Sequence, residues 1–248
     1  MKAVIPAAGR GTRLRPLTDD RPKPLIDVAG QPLLSHGLSQ LADLGVSEFV
    51  IVVGYRKEAI IDHYGDEFAG VPITYVHQRE PKGLADAVLH AEREVADDFL
   101  VFNADNVMAG NLGDVVERQR EDGVDATLLV DEVSRDVAAE TGVFVTDDDG
   151  RLDAVVEKPD DPPSASVLTG LFAFDPDVFH ACHLVQPSDR GECELTDAID
   201  LFLRADRRVE TVAFEGDRIN VNTPSDRDRA TELVERRGPD MRQPDSGQ

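Results

Sequence analysis

The chain has 248 residues, with 26 Lys and Arg against 49 Asp and Glu, a formal charge of −23 and a pI near 4.5. That length suits one α/β domain with ample buried core, and 41% apolar residues excludes wholesale disorder. A charge this negative argues against nucleic acid or an anionic membrane as the main partner, because phosphate attracts basic faces.

In chain order, residues 2–6 read as a strand that runs into a glycine- and arginine-rich loop. Residues 32–44 place Leu33, Leu34, Leu38, Leu41 and Leu44 at helical spacing and stop at Gly45. Residues 49–53 form a β-branched strand, 58–64 a short helix, 73–77 a third strand, 84–95 a helix and 99–103 a fourth strand. Strands without polar alternation are buried on both faces, which predicts a parallel sheet with helices outside it. Residues 126–130, 143–145, 152–157 and 167–174 are strand-like pieces joined by turns such as Asp147-Asp148-Asp149-Gly150. Helices near 195–204 and 224–236 follow, and residues 237–248, made of Pro, Asp, Arg, Gln and similar residues, predict a disordered tail.

No apolar stretch reaches about 18 residues, so no membrane span is predicted. The N-terminal apolar run breaks at Pro6 and meets arginines, unlike a signal peptide. Cys182 and Cys193 make no secreted disulfide framework, so a cytoplasmic location is expected.

The loop Ala7-Ala8-Gly9-Arg10-Gly11-Thr12-Arg13-Leu14-Arg15 lies at the carboxyl edge of the predicted sheet, where such folds bind ligands. Gly9 and Gly11 permit turns that aim backbone N–H groups at an anion. Neither of the two commonest nucleotide fingerprints, G-x-x-x-x-G-K-[ST] and G-x-G-x-x-G, is present. Arg10, Arg13, Arg15, Arg21 and Lys23 against Asp19 and Asp20 give a local charge of +3. A strongly acidic chain that gathers cations beside a glycine loop is built for a polyphosphate. The bland alternative is a solvated turn whose arginines pair with nearby carboxylates.

The cations are 21 Arg and only 5 Lys, and the acids 32 Asp and 17 Glu. This imbalance predicts adaptation to high salt, where dense carboxylates keep a surface hydrated and self-repulsion is screened. The lysines left are Lys2, Lys23, Lys57, Lys82 and Lys158. Lys23, between two prolines, and Lys158, at a strand end, are candidates for sites that need a compact ammonium. Lys57 reads as part of a solvated helix face.

The sequence resembles the sugar-1-phosphate nucleotidylyltransferases, especially the glucose-1-phosphate thymidylyl- and uridylyltransferases. The resemblance begins with Ala8-Gly9-Arg10-Gly11-Thr12-Arg13-Leu14-Arg15-Pro16-Leu17-Thr18 and Lys23-Pro24-Leu25. It continues through Gln78-Arg79-Glu80-Pro81-Lys82-Gly83-Leu84-Ala85, Asn103-Ala104-Asp105-Asn106, Thr141-Gly142-Val143, Glu157-Lys158-Pro159 and Leu168-Thr169-Gly170. It closes with Glu194-Leu195-Thr196-Asp197 and Asn220-Val221-Asn222-Thr223-Pro224, in the family's order, from residue 2 to about 230. It implies a Rossmann-like α/β nucleotidyltransferase fold: a central, mostly parallel sheet flanked by helices, with a smaller, β-rich, sugar-binding lobe. Residues 1–236 are expected to form a single nucleotidyltransferase domain, with a nucleotide-binding half over about 1–110 and a sugar-phosphate-binding half over about 111–236. No hexapeptide-repeat extension follows in the sequence, as in the family's short form.

The implied reaction is Mg²⁺-dependent nucleotidyl transfer from UTP or dTTP to glucose-1-phosphate, supplying nucleotide sugar for glycan assembly. Catalysis of this kind works by positioning and charge neutralisation, with no enzyme nucleophile required. The resemblance gives catalytic roles to Arg13 on the leaving pyrophosphate, Lys23 on the α-phosphate or sugar phosphate, and Asp105 on the metal. Ala8, Gly9, Gly11 and Thr12 would cradle the phosphates with Arg13, while Gln78 and Gly83 would receive a pyrimidine base. Gly142, Glu157, Lys158 and Leu168 would hold the sugar phosphate. Asn222 stands where thymidylyltransferases usually carry the second metal-binding Asp, and its amide oxygen can serve as a neutral Mg²⁺ ligand. UTP and dTTP are not distinguished by these residues, and the family suggests a homo-oligomer.

Two other readings compete. A non-catalytic nucleotide-sugar-binding regulator on the same fold would be favoured by loss of Arg13, Lys23 or Asp105, and all three are present. A guanylyl- or cytidylyltransferase would keep the same phosphate residues. His180, Cys182, His183 and Cys193 resemble loose metal ligands, but their spacing fits no familiar zinc pattern, and helix-end packing is expected of them.

Overall fold

A computed structural model describes residues 1–146 and 152–238. In chain order the elements begin with β1 (Lys2–Ala7), β2 (Asp27–Val28), β3 (Gln31–Pro32), α1 (Leu33–Asp43), β4 (Phe49–Val53), α2 (Lys57–Tyr64) and β5 (Glu67–Phe68). Next come β6 (Val71–His77), α3 (Leu84–Leu89), β7 (Phe99–Phe102), β8 (Asn106–Gly110), α4 (Gly113–Gln119), β9 (Ala126–Glu132), α5 (Arg135–Ala138) and β10 (Gly142–Thr146). The rest are β11 (Leu152–Glu157), β12 (Ser166–Phe174), α6 (Val178–Leu184), α7 (Leu195–Arg204), β13 (Val209–Ala213), β14 (Gly216–Asn220) and α8 (Pro224–Arg237). The turn expected at Asp147-Asp148-Asp149-Gly150, and the tail expected over 237–248 from residue 239 onward, lie outside the described residues.

The chain divides into two compact units whose segments interleave. The first takes Met1–Pro81, Phe102–Asn111 and the chain from Glu215 onward. Within it, β4 lies between β1 and β6 and pairs with both in parallel, in the registers Ala3↔Phe49 and Phe49↔Ile73. All five residues of β4 are buried, as an unalternating Phe-Val-Ile-Val-Val run requires. α1 buries Leu33, Leu34, Leu38 and Leu41 of the stripe read from its spacing, while Leu44, the fifth leucine of that stripe, caps the helix and is only half-buried. This is the α/β class and mostly parallel sheet that the sequence predicts.

An apolar cluster in this unit positions the chemistry. Leu14, Ile26, Val28, Leu33, Val107, Val221, Ala230 and Leu233 pack together, all buried. Leu14 follows Arg13, Val107 lies two residues after Asp105, and Val221 precedes Asn222. One core therefore pins three segments that are far apart in sequence, each buried Leu, Ile or Val side chain contributing about 1.5–3 kcal/mol. The ladder between β8 and β14 adds register, with Asn106 opposite Asn220, and the Val221 amide donates to the Asp105 carbonyl at 2.8 Å.

The second unit takes Lys82–Val101 and Leu112–Phe214. β12 pairs antiparallel with β9 and β10, β11 pairs antiparallel with β10, and β13 runs parallel to β9. The β12–β9 register shifts between Leu168 and Phe172, where Gly170 takes a φ of 96°. That irregularity follows Leu168 directly, and the Thr169 hydroxyl closes it by donating to the Leu129 carbonyl at 2.9 Å.

The helix expected over 84–95 ends at Leu89 and gives way to a 3₁₀ turn at Glu92–Glu94. The His90 ring bonds the Asp86 carbonyl, and the Ala91 amide donates to Val88, so the ladder tightens from four residues to three. The sequence pattern does not reveal the short strands β2, β3 and β5, the β8–β14 ladder, the α4 and α5 helices or β13. Among the described residues no helix is long and apolar enough to cross a membrane.

Candidate active site

The first unit brings four predicted residues together. Lys23 Nζ donates to Asp105 Oδ2 at 2.8 Å and to Asn222 Oδ1 at 3.0 Å. Arg13 Nη2 donates to the same Asn222 oxygen at 3.3 Å. Lys23 opens a 3₁₀ turn, Lys23–Leu25, whose N-cap Pro22 presets the entering backbone, and its side chain is largely enclosed. The cluster holds two cations and one carboxylate. An Asp at 222 would cancel that excess, whereas Asn222 leaves the cluster net positive, the sign that attracts anions.

The glycine loop is shaped by its neighbours. Gly11 has a φ of 61° and a Cβ there would lie 2.9 Å from Lys23 Cβ, so glycine is required both by conformation and by space. The Thr18 hydroxyl donates to the Gly11 carbonyl at 2.9 Å and holds the turn. Gly9 is open, with nothing within 4 Å of a Cβ position. Arg13 and Thr12 are exposed, whereas Ala8 is buried. Gly54, not singled out from the sequence, sits where a Cβ would lie 2.8 Å from Ala8 and 3.0 Å from the Gln78 carbonyl. It lets the glycine loop approach the segment that carries Gln78, whose own amide donates to Val53. Gln78 is buried at the end of β6.

Asn222 is held by its backbone. Asp226 Oδ2 accepts from the Asn222 amide at 3.2 Å and the Thr223 amide at 2.8 Å, and the Thr223 side chain accepts from the Asp226 amide. This is a capping box with Pro224 in the first turn of α8, worth about 1 kcal/mol to the helix start.

The second unit gathers the residues expected to hold the sugar phosphate. Gly142 pairs with Glu157 across β10 and β11, and a Cβ at 142 would lie 2.7 Å from Thr196 Cγ2 and 3.3 Å from both Glu157 Oε2 and Leu168 Cδ1. Val143 and Val167, each beside one of these residues, are buried together with Ala138. Lys158 adopts a φ of 43°, a region that non-glycine residues rarely enter, and Nζ reaches Glu157 Oε1 at 2.9 Å. Thr196 donates to Glu157 Oε2 at 3.2 Å. Arg190, unremarked in the sequence, lies 3.7 Å from Glu157 and 2.9 Å from Glu194. Its signal was present in Arg190-Gly191, just upstream of the Glu194-Leu195-Thr196-Asp197 motif.

Glu157 also lines a cavity of about 450 Å³ with Ser188, Arg190, Glu194 and Asp197, a volume that admits a small molecule. Burial, followed by the charges of Glu194, Glu157 and Asp200, pushes the Asp197 carboxyl upward. Gly142, Lys158 and Leu168 do not line that cavity.

Gly83 has a φ of 102°, and a Cβ there would meet the Cys193 backbone at 2.4 Å. The Cys193 carbonyl accepts from the Ala85 amide and its amide donates to Lys82. Packing within the protein thus requires glycine at 83. The other three members of the His/Cys group are accounted for by protein neighbours. His180 lies 3.9 Å from Asp177, His183 lies 3.1 Å from Glu92, and Cys182 is buried, its thiol pushed up to about 12 by desolvation. Among the described residues no group of three His, Cys, Asp or Glu side chains is arranged to hold a metal.

A glycine loop with an arginine follows the first parallel strand, and a lysine bonded to a carboxylate stands beside it, at the strand ends where open α/β sheets bind ligands. Residues 2–218 match the model of the nucleotidyl transferase family, and the chain belongs to that family. It is 53% identical over 235 residues to the UTP–glucose-1-phosphate uridylyltransferase AglF of Haloferax volcanii, covering 95% of this chain and 97% of that protein. It is 36% identical to a glucose-1-phosphate thymidylyltransferase of Streptomyces antibioticus, covering 87% of this chain and 61% of that one. A Bacillus anthracis crystal structure assigned as a glucose-1-phosphate thymidylyltransferase superimposes with a TM-score of 0.86 at 27% identity, over 94% of this chain and 95% of that one.

Proposed function

We propose that this enzyme transfers the uridylyl group of UTP to glucose-1-phosphate, forming UDP-glucose and pyrophosphate. The observation that carries the reading is the convergence of Asp105 Oδ2 and Asn222 Oδ1 on one ammonium, beside Arg13 and the glycine loop. The choice of UTP rests on the 53% identity to the Haloferax uridylyltransferase along nearly its whole length.

In this reading a phosphate oxygen of glucose-1-phosphate forms a bond to the α-phosphorus of UTP. The bond from that phosphorus to the bridging β-phosphate oxygen breaks, and pyrophosphate leaves with the electron pair. The Gly9–Gly11 backbone and Arg13 receive the triphosphate, and Arg13 neutralises charge on the departing pyrophosphate. Lys23 balances the charge that builds at the α-phosphate. Glu157 accepts hydrogen bonds from sugar hydroxyls, and Lys158 pairs with the sugar phosphate.

The donor set fits Mg²⁺. A carboxylate oxygen and an amide oxygen, both hard donors, already meet a positive charge at 2.8 and 3.0 Å. Asp105 and Asn222 would hold the ion, which when bound supplies charge neutralisation and orientation of the triphosphate. The Asp-rich, Lys-poor composition of the chain and the Haloferax relative support work in concentrated salt.

The test is pyrophosphate release by purified protein in molar KCl with Mg²⁺, across four nucleoside triphosphates and several sugar-1-phosphates. UTP with glucose-1-phosphate is expected to give the highest kcat/KM. Faster turnover with dTTP would replace the uridylyl assignment, and a folded protein inert toward every pair would overturn the reading.

A further inference from the structure

A carboxamide has one accepting and one donating end, and the difference matters at Asn222. Its Oδ1 takes hydrogen bonds from Lys23 and Arg13, at 3.0 and 3.3 Å. Its Nδ2 donates to Asn220 Oδ1 at 3.0 Å. Turned over, the amide would aim N–H groups at two cations and set its oxygen against the Asn220 oxygen. A carboxylate at this position would need no such sorting, because its two oxygens are alike. A neutral ligand therefore carries a requirement that an acidic one lacks: something must fix which end faces the site.

We propose that Asn220 is the positioning residue that meets this requirement. It sits at the end of β14, half-buried, its backbone registered against Asn106 in the β8–β14 ladder. Its amide oxygen is the acceptor that holds Asn222 Nδ2 away from the cations. The inference rests on the proposed metal role of Asp105 and Asn222, and it extends that role to a residue that touches neither substrate nor metal. Outer partners of this kind orient metal ligands and govern affinity.

The probe is Mn²⁺, with the free ion counted by electron paramagnetic resonance. Asn220→Leu removes the acceptor and is expected to weaken Mn²⁺ binding roughly ten- to a hundredfold. Asn220→Asp keeps an acceptor and is expected to bind at least as tightly as the wild type. In an Asn222→Asp background the ligand no longer needs sorting, so adding Asn220→Leu is expected to cost nothing. Should Asn220→Leu fail to fold by circular dichroism, Asn220→Ser, whose hydroxyl is too short to reach Asn222, is expected to show the same loss. Wild-type affinity in the acceptor-deleted variant overturns the inference, as does an equal loss in both backgrounds, which is what a merely structural role would give. Absence of Mn²⁺ binding by the wild type overturns the metal role and this inference with it. A wild type that binds Mn²⁺ in this pattern without turning over UTP supports the inference and overturns the proposed reaction alone.

Discussion

Gly142→Ala tests the sugar-side residues without touching the phosphate cluster. The Gly142 backbone is not in the left-handed region, so alanine adds no backbone strain. Its methyl would lie 2.7 Å from Thr196 Cγ2 and 3.3 Å from Glu157 Oε2 and Leu168 Cδ1. Carbon atoms in contact prefer about 3.5–4.0 Å, so Thr196 must retreat by roughly 1 Å. Thr196 is only 5% exposed, and its retreat lengthens the 3.2 Å bond that orients Glu157. Overpacking of this kind costs about 1–3 kcal/mol, which a typical domain survives with a lower melting temperature. Losing one oriented carboxylate contact to the sugar, about 1.4 kcal/mol, corresponds to about a tenfold rise in KM for glucose-1-phosphate. The KM for UTP is expected to hold, because Arg13, Lys23, Asp105 and Asn222 lie in the other unit. Steady-state pyrophosphate release with each substrate varied in turn, beside a thermal melt, reads both effects. An unchanged sugar KM, or one that rises no more than the UTP KM, would refute the assignment of Gly142 and Glu157.

Two further predictions concern the first unit. Arg13→Ala is expected to lower kcat by about a hundredfold or more with a smaller change in UTP affinity, as for other groups that act on charge developed in the transition state; near-native turnover in a stopped assay would contradict the role. Asp217 accepts from Arg237 and Arg236, and the Arg237 bond is the main cause that holds its carboxyl below the ordinary aspartate value. Its stabilisation is present above the unfolded pKa, near 4, and fades as pH falls through the lower native value. Asp217→Asn should therefore melt earlier than the wild type at neutral pH, with a gap that closes in acid; a gap independent of pH in differential scanning calorimetry would exclude the ion pair as its cause.

The strands most legible in the sequence are those whose composition leaves no alternative. Phe49-Val50-Ile51-Val52-Val53 has no polar face and can only be buried in a sheet. The leucine stripe of α1 was equally plain. By contrast, β14 is Gly-Asp-Arg-Ile-Asn, which reads as a turn, and it is a strand because β8 offers it a ladder. That unread ladder is what registers Asp105 beside Val221 and so beside Asn222. The residues at the site were visible through their order along the chain, but their partners were not. Gly54 is an ordinary loop residue in sequence, and only distance gives it meaning; Arg190 and Asn220 lie beside or within the quoted motifs, but the carboxylates and the amide they touch emerge only from the structure. His90 shows the limit from the other side. Nothing in the apolar spacing of residues 84–95 reveals that a side chain bonded to the Asp86 carbonyl accompanies the end of the helix.

Uridylyl transfer moves the α-phosphorus of UTP to the sugar phosphate, and positional labelling measures that directly. With UTP labelled in turn at the α- and γ-phosphates, and with glucose-1-phosphate, Mg²⁺ and molar KCl, the α label is expected in UDP-glucose and the γ label in pyrophosphate. An α label recovered only as UMP, or a γ label appearing on the sugar, would contradict uridylyl transfer to glucose-1-phosphate.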